Sequence, residues 1–395
     1  MLIKNGLVYT ENFRFEKTDI FIKDHIIAEM KERSSEDPRD SGSVCQLSEM
    51  ENERDEDVID ARGKLIIPGL TDLHFHGCVS YDTNDAADEA FHAMAVYQLK
   101  SGVTAICPTT MTLPENEVEK IVKKAKEYSC RRGEGEAAIV GVNLEGPFIS
   151  KDRVGAQNPL YVTGPDPAFI EKLLEETDCF PKLITIAPEV TGAMEFIKKL
   201  HERIRISIGH TMTDYETAKE AYKNGALHLT HMFNAMPAIH HRMPGPIVAA
   251  MEAPEVTCEI ICDGVHVHPA SVRMAFSIMG ADKMILISDS CRACGMPEGK
   301  YELGGQDIYK HDHAAFLEDG TLAASASNLY ECMVNAIDFG VPVEDAVRAA
   351  AYNPAKALGM LDRYGSIKKG KAADILIIDP EKHYHLERVI SGGIR

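Results

Sequence analysis

No stretch of the sequence reaches the roughly 18 consecutive apolar residues of a membrane span, and the opening MLIKNGLVYT lacks a charged segment followed by a long apolar one. The expectation is a soluble, unexported, cytoplasmic chain with no membrane partner. Basic residues are also in deficit: Lys and Arg number 42 against 61 Asp and Glu, a net charge of -19. That excludes a nucleic-acid binder, because phosphate backbones are held by clustered cations, and an acidic surface serves mainly solubility. The ten cysteines show no small-scaffold spacing, which fits buried thiols in a reducing compartment better than a disulfide framework. What is present, 395 residues with 45% apolar content, suffices for one large core and a smaller accessory unit and excludes disordered and collagen-like classes.

The first 30 or so residues alternate as short strands, LIKNGLVYT and then KTDIFIKDHIIAEM. A Ser-, Glu-, Asp-, Asn- and Arg-dense stretch of about 31–57 follows, too poor in large apolar residues to order itself, and reads as a flexible acidic loop. From Leu65 the pattern becomes strand, turn and helix in repetition, the mark of parallel βα units. Eight apolar runs can be counted: LIIPGLTDLHF, VTAICPTT, AAIVGVNLEG, KLITIAPE, RISIGHT, ALHLTHMF, VTCEIICDGV and MILISDS. Helical stretches such as TDYETAKEAYKNG separate most of them, and Gly102 and Gly225 stand where left-handed helix caps are expected. Next come the glycine-rich CRACGMPEGKYELGG, two helical stretches, and the strand-like tail GSIKKGKAADILIID. The predicted fold is α/β: a (β/α)₈ TIM barrel over 67–364, with a small β-sandwich domain built from 1–66 and 365–395.

A barrel of this kind places its active site at the carboxyl ends of the strands. The first run ends in His74 and His76, the third in Glu145, the fifth in His210 and the sixth in His231. His266 follows the seventh, and Asp289 ends the eighth. Residues two apart on a strand share a face, so His74 and His76 can both point into the barrel mouth, as a second metal position or as pocket lining. A single buried histidine is more often a hydrogen-bonded core residue than a ligand, but five imidazole and carboxylate groups at equivalent strand ends form a set suited to zinc, iron, manganese or cobalt. Asp289 can serve as the base that takes a proton from water acidified by such an ion; the plainer reading is a helix N-cap. Cys291 and Cys294 form a C-x-x-C pair without a partner pair, too little for a zinc site and a weak sign of redox function. Beside His240 and His241, Arg242 is the best suited to gripping an anion, because its fork matches phosphate oxygens.

Over almost its whole length the sequence resembles the N-acetylglucosamine-6-phosphate deacetylase family of the amidohydrolase superfamily. The stretches concerned are PGLTDLHFHG, GVTAICPTTMT, LEGPFIS with KDRVGAQNP, TIAPE, SIGHTMTDY, THMFNAMP, CDGVHVHP, SDSCRACGMPEGKYELGG and GSIKKGKAADILIID. PGLTDLHFHG marks the superfamily, whereas LEGPF, GHT, THMFNAMP and DGVHV in this order point to the deacetylases. The resemblance implies that Glu145, His210 and His231 hold the principal metal, that His74 and His76 match an H-x-H used by some members for a second ion, and that Asp289 is catalytic. It further implies substrate contacts from Ala156, Gln157, Asn234, Ala235, Arg242, His266 and Ser325, with Arg242 acting within the chain or across a homodimer interface. Gln157 stands where the family often has His, residues 290–292 are Ser-Cys-Arg where small residues and Met are common, and Ala324 replaces a frequent Gly.

The chemistry so implied is metal-assisted hydrolysis of an acetyl amide on an amino-sugar phosphate, with one or two divalent ions per subunit. The products would be glucosamine 6-phosphate and acetate. The nearest rivals are the galactosamine and mannosamine isomers as substrates. A cyclic-amide hydrolase or a deaminase lies further off, since many cyclic-amide members use a modified lysine where this chain has Glu145. A non-catalytic barrel kept as a scaffold would be expected to have lost ligands that this chain retains.

Overall fold

The structure, a computed structural model, describes residues 1–33 and 58–392. The chain divides into two compact units, Met1–Gly69 with Leu361–Arg395, and Leu70–Met360. Among the described residues no helix is long and apolar enough to cross a membrane.

In the smaller unit the strands lie in the order His385–Ile390, Ile375–Asp379, Leu65–Pro68, Leu7–Tyr9, Phe15–Lys23, Leu2–Lys4 and Val58–Asp60, and Ile26–Glu32 also pairs with Phe15–Lys23. The antiparallel register of Leu376 on Ile67 and Ile377 on Ile66 joins the two ends of the chain in one sheet. Ile3, Val8, Ile20, Ile27, Ile66 and Ile375 meet in its buried apolar cluster, as the alternation of their strands requires. The expected acidic loop of about 31–57 lies outside the described residues except at its start. There Lys31 and Glu32 continue a strand, opposite Asp19 and Thr18. The neighbouring strand's free backbone groups order these polar residues, and Arg33 Nε then donates to Asp19 at 2.7 Å.

The barrel of the larger unit is made of eight parallel strands, β1 Leu70–Phe75, β2 Val103–Thr110, β3 Val142–Glu145, β4 Pro181–Ile186, β5 Arg205–Ile208, β6 Ala226–Leu229, β7 Thr257–Ile261 and β8 Met284–Ile287, and the two-residue strand Ala138–Ile139 also pairs with β2. Each barrel strand pairs with the next. At the carboxyl end the ring comes together through Asp289 N donating to His74 O (2.9 Å) and His76 N to Ser290 O (2.7 Å). Eight helices follow the strands in turn: α1 Asp88–Lys100, α2 Glu115–Ser129, α3 Pro167–Glu176, α4 Ala193–Leu200, α5 Tyr215–Lys223, α6 Gly245–Glu252, α7 Pro269–Met279 and α8 Leu329–Asp338. The helix α2 shows why: Val118, Ile121, Val122, Ala125 and Tyr128 recur at helical spacing and are buried, while its lysines and glutamates face out. Asp214 caps α5 by accepting from Thr217 N at 2.8 Å, and Gly225 ends it with φ 111° in a place where a Cβ would strike the His201 ring.

Two features depart from the sequence reading. The apolar run Leu65–Phe75 is two strands, because at Gly69 the backbone changes partners: Gly69 N bonds Asp374 O, whereas Leu70 N bonds Gly102 O. Hydrophobicity is continuous across such a switch and does not register it. The glycine-rich segment after β8 opens an antiparallel four-stranded sheet, Gly299–Leu303, Gln306–His311, Ala314–Leu317 and Leu322–Ser325. Gly304 and Gly305, with φ of 57° and 84°, make the two-residue turn of its first hairpin, a Gly-Gly signal legible in the sequence.

Candidate metal centre and cavity

Side chains from the carboxyl ends of five barrel strands converge on one cavity of about 430 Å³. His74 lies on β1 with His76 just beyond it, and Glu145 ends β3. His210, His231 and Asp289 each sit two residues past the last residue of β5, β6 and β8. All three adopt left-handed backbone, with φ of 45°, 26° and 47°. Left-handed backbone is uncommon for non-glycine residues and costs about 1–3 kcal/mol each. The turn aims each side chain across the barrel mouth.

The Nε2 atoms of His210 and His231 stand 3.1 and 3.0 Å from Glu145 Oε1 and 3.1 Å from each other. His210 Nδ1 lies 2.8 Å from Arg153 O, which can only accept, so Nδ1 carries a proton and in the neutral ring Nε2 holds the lone pair. A bare nitrogen and a carboxylate oxygen at this spacing are the donor arrangement of a shared cation. Glu145, His210 and His231 form one such group, and His74, His76 and Glu145 a second, with donor atoms within 4.8 Å of one another in each. His74 Nε2 is fully buried without a hydrogen-bond partner, 3.4 Å from Glu145 and 3.6 Å from Asp289. His76 Nε2 lies 3.2 Å from Glu145 Oε2 and 3.3 Å from Asp289 Oδ1. Nitrogen and carboxylate donors with an orphaned, buried imidazole nitrogen fit a transition-metal ion.

Burial alone would raise the Glu145 carboxyl, but the imidazoles of His74, His210 and His231 outweigh it and hold the group well below its ordinary range. Asp289 is likewise raised by burial and lowered, on balance, by His74 and His76. Gln157 Nε2 donates to Glu145 Oε2 at 2.6 Å while its Oε1 accepts from Thr112 N at 2.6 Å. The Gln157 amide thereby orients the carboxylate, with Oε1 turned to His210 and His231 and Oε2 shared between Gln157 and His76. Behind β1, Glu259 takes His74 Nδ1 at 2.9 Å. His266 is anchored by its Nδ1 on Asp263 at 2.6 Å.

Of the substrate contacts expected from the sequence, Ala156, Gln157, Asn234, Ala235 and His266 line the cavity, with His76, Glu145, His210, His231 and Asp289. Arg242 does not: it is exposed, with its guanidinium 2.8 Å from His241 Nε2. Ser325 also stays outside it, fully buried, its amide bonded to Asp289 O at 3.0 Å and its Oγ accepting from Ser327 N at 3.0 Å. Its place at the end of the inserted sheet turns it toward the backbone behind Asp289. Asp289 caps no helix, so the plainer alternative for it does not apply. Cys291 and Cys294 are free and buried, and desolvation pushes both thiols up to about 12, the unreactive protonated form. Arg153 and Thr321–Ala323 of the cavity wall, and Glu259 behind it, were not singled out from the sequence. Glu259 carried a signal all the same, as the one acidic residue inside the apolar run VTCEIIC.

This barrel, with its ring of strand-end histidines and carboxylates, belongs to the amidohydrolase family, which matches residues 65–393. Within it the chain is 32% identical over 395 residues to an N-acetylglucosamine-6-phosphate deacetylase of Lysinibacillus sphaericus, covering 100% of this chain and 97% of that one. It is 30% identical over 328 residues to an N-acetylgalactosamine-6-phosphate deacetylase of Escherichia coli O157:H7, covering 82% of this chain and 86% of the other. Among solved structures it is similar to a mutant N-acetyl-D-glucosamine-6-phosphate deacetylase of Mycobacterium smegmatis in complex with N-acetyl-D-glucosamine-6-phosphate. The TM-score is 0.88 at 28% identity, over 100% of this chain and 98% of that one.

Proposed function

We propose that this amidohydrolase removes the acetyl group of N-acetylglucosamine 6-phosphate, giving glucosamine 6-phosphate and acetate, in the cytoplasm and as a homodimer. The observation that carries the reading is the meeting of Glu145, His210 and His231 with Asp289 in one cavity. Glu145, His210 and His231 would hold a divalent transition metal (zinc, iron, manganese or cobalt), with His74 and His76 beside Glu145 for a second ion; such an ion supplies the Lewis acidity that lowers the pKa of water and polarises an amide carbonyl.

The chain's own residues do the rest. Asp289, at the cavity edge beside His76, accepts the proton of the attacking water and then gives it to the departing amine nitrogen, so that one carboxylate is base and then acid. His266, fixed through Nδ1 by Asp263, presents its other nitrogen to the acetyl oxygen. Ala156, Asn234 and Ala235 shape the wall against the sugar, and Gln157 holds Glu145 in register. Arg242 reaches the phosphate of a substrate bound in the neighbouring subunit. Ser325 supports the Asp289 backbone from behind.

The test is acetate release from the 6-phosphates of N-acetylglucosamine, N-acetylgalactosamine and N-acetylmannosamine, with metal content measured on the same samples. Preference for the gluco epimer is expected. Preference for the galacto epimer would favour the activity named for the Escherichia coli relative. Metal-loaded protein that releases acetate from none of the three would end the reading.

A further inference from the structure

A polar chain runs through the barrel interior from the amino end of β5 to the metal centre. Arg205, the first residue of β5, donates from a guanidinium nitrogen to Thr257 Oγ1 at 3.0 Å and to Leu227 O at 2.9 Å. Thr257 Oγ1, at the start of β7, lies 2.6 Å from His228 Nδ1 on β6. His228 Nε2 is 2.9 Å from Glu259 Oε1, and Glu259 Oε2 is 2.9 Å from His74 Nδ1 and accepts from His231 N at 2.9 Å. His74, His228 and Glu259 are buried.

The direction of this chain follows from its two ends. A guanidinium can only donate, so Thr257 Oγ1 accepts from Arg205 and its own proton is free to go to His228 Nδ1. The competing acceptor, Leu227 O, is 3.5 Å from that hydroxyl and already served by Arg205. His228 Nδ1 is then the acceptor and Nε2 the donor, as a carboxylate facing it requires. The opposite tautomer would set a bare nitrogen against Glu259 Oε1. A doubly protonated His228 is opposed by burial, which together with the Arg205 charge keeps it below the usual histidine range in spite of Glu259. Glu259 therefore stays acceptor-only and takes the Nδ1 proton of His74, so that in the neutral ring the lone pair is on Nε2.

We propose that Arg205, Thr257, His228 and Glu259 act as a positioning relay that fixes the tautomer of His74, so that His74 Nε2 is offered as a lone pair to a metal ion held with His76 and Glu145. The inference rests on the metal reading given above and extends it to residues that touch neither substrate nor ion. Partners of this kind typically hold 10- to 100-fold in metal affinity.

The test uses the zinc-loaded full-length protein, dialysed against rising chelator concentration, with zinc per chain and the unfolding midpoint measured for wild type, Thr257→Val and Thr257→Ser. Thr257→Val is expected to release zinc at roughly 10- to 100-fold lower chelator activity, and Thr257→Ser, which keeps the hydroxyl, to behave as wild type. Zinc retention by Thr257→Val equal to wild type, or equal losses in both variants, overturns the relay while leaving the functional reading intact. Wild type that retains no zinc overturns the functional reading and the relay with it. A second measurement needs no variant that must bind metal: ¹⁵N spectra of histidine-labelled wild type, with the His228 signals assigned by their loss in His228→Gln. They should show Nε2 protonated and Nδ1 bare, and the reverse tautomer would sink the proposal.

Discussion

Gln157 Nε2 donates to Glu145 Oε2 at 2.6 Å, so the amide of a loop residue orients the carboxylate that His210 and His231 face through its other oxygen. Both groups are buried, and Gln157 is itself held by the Thr112 amide. Gln157→Ala leaves Glu145 free to turn and should cost roughly 10-fold or more in metal retention, with a matching fall in acetate release. Gln157→Glu, which sets two carboxylates against each other, should cost more. Metal content of the two variants at equal chelator concentration checks the order; equal retention by both and by wild type would show that the contact does not orient Glu145.

Asp289→Asn keeps the shape of the side chain and removes its capacity to take a proton. Zinc content should stay close to wild type while acetate release falls by about 10²- to 10⁴-fold, the usual contribution of general acid–base catalysis. Single-turnover acetate release and metal analysis on one preparation decide the matter, and a rate within a few-fold of wild type would mean that the proton goes elsewhere.

Phe148 follows Glu145 by three residues, is fully buried, and meets Phe196 of α4 edge-on with ring centroids 5.5 Å apart. Phe148→Ala should destabilise the barrel unit by about 3–5 kcal/mol through lost burial and the cavity left behind. Chemical denaturation followed by tryptophan-free probes such as far-UV circular dichroism measures it, since the sequence contains no Trp. A loss below about 1 kcal/mol would indicate that the site collapses to fill the space.

The small unit has an acid-sensitive contact. Lys64 donates to Asp379 Oδ2 at 2.7 Å and brings that carboxyl down to about 2, against an ordinary aspartate value near 4. A group whose folded-state pKa is lowered stabilises the fold above its unfolded value and ceases to do so as pH falls through the folded one. The contribution is therefore complete above about pH 4 and lost towards pH 2. Asp379→Asn should flatten the fall in denaturation midpoint across that window relative to wild type, and parallel curves for the two proteins would count against the contact.

Much of this was legible in the sequence. Each of the eight apolar runs contains one barrel strand, and Glu145, His210, His231 and Asp289 stand at or just past strand ends because each run breaks at a polar residue where its backbone leaves the sheet. Other features were hidden for stated reasons. The division of Leu65–Phe75 at Gly69 changes hydrogen-bond partners without changing hydrophobicity, and Lys31 and Glu32 look solvated until the ladder of Phe15–Lys23 is in place. Gln157 could be read as a substrate contact, but only the fold shows it joined to Glu145.

By itself the sequence determined the order of strands and helices and which side chains stand at the strand ends, because periodicity and chain breaks are local properties of the polypeptide. The tertiary structure alone decided which of those side chains meet. His231 Nε2 and Glu145 Oε1 are 86 residues apart in the chain and 3.0 Å apart in space, and that distance is set by closure of the barrel and by left-handed turns at His210, His231 and Asp289. Closure is a sum of pairings between distant segments, so no window of sequence contains it.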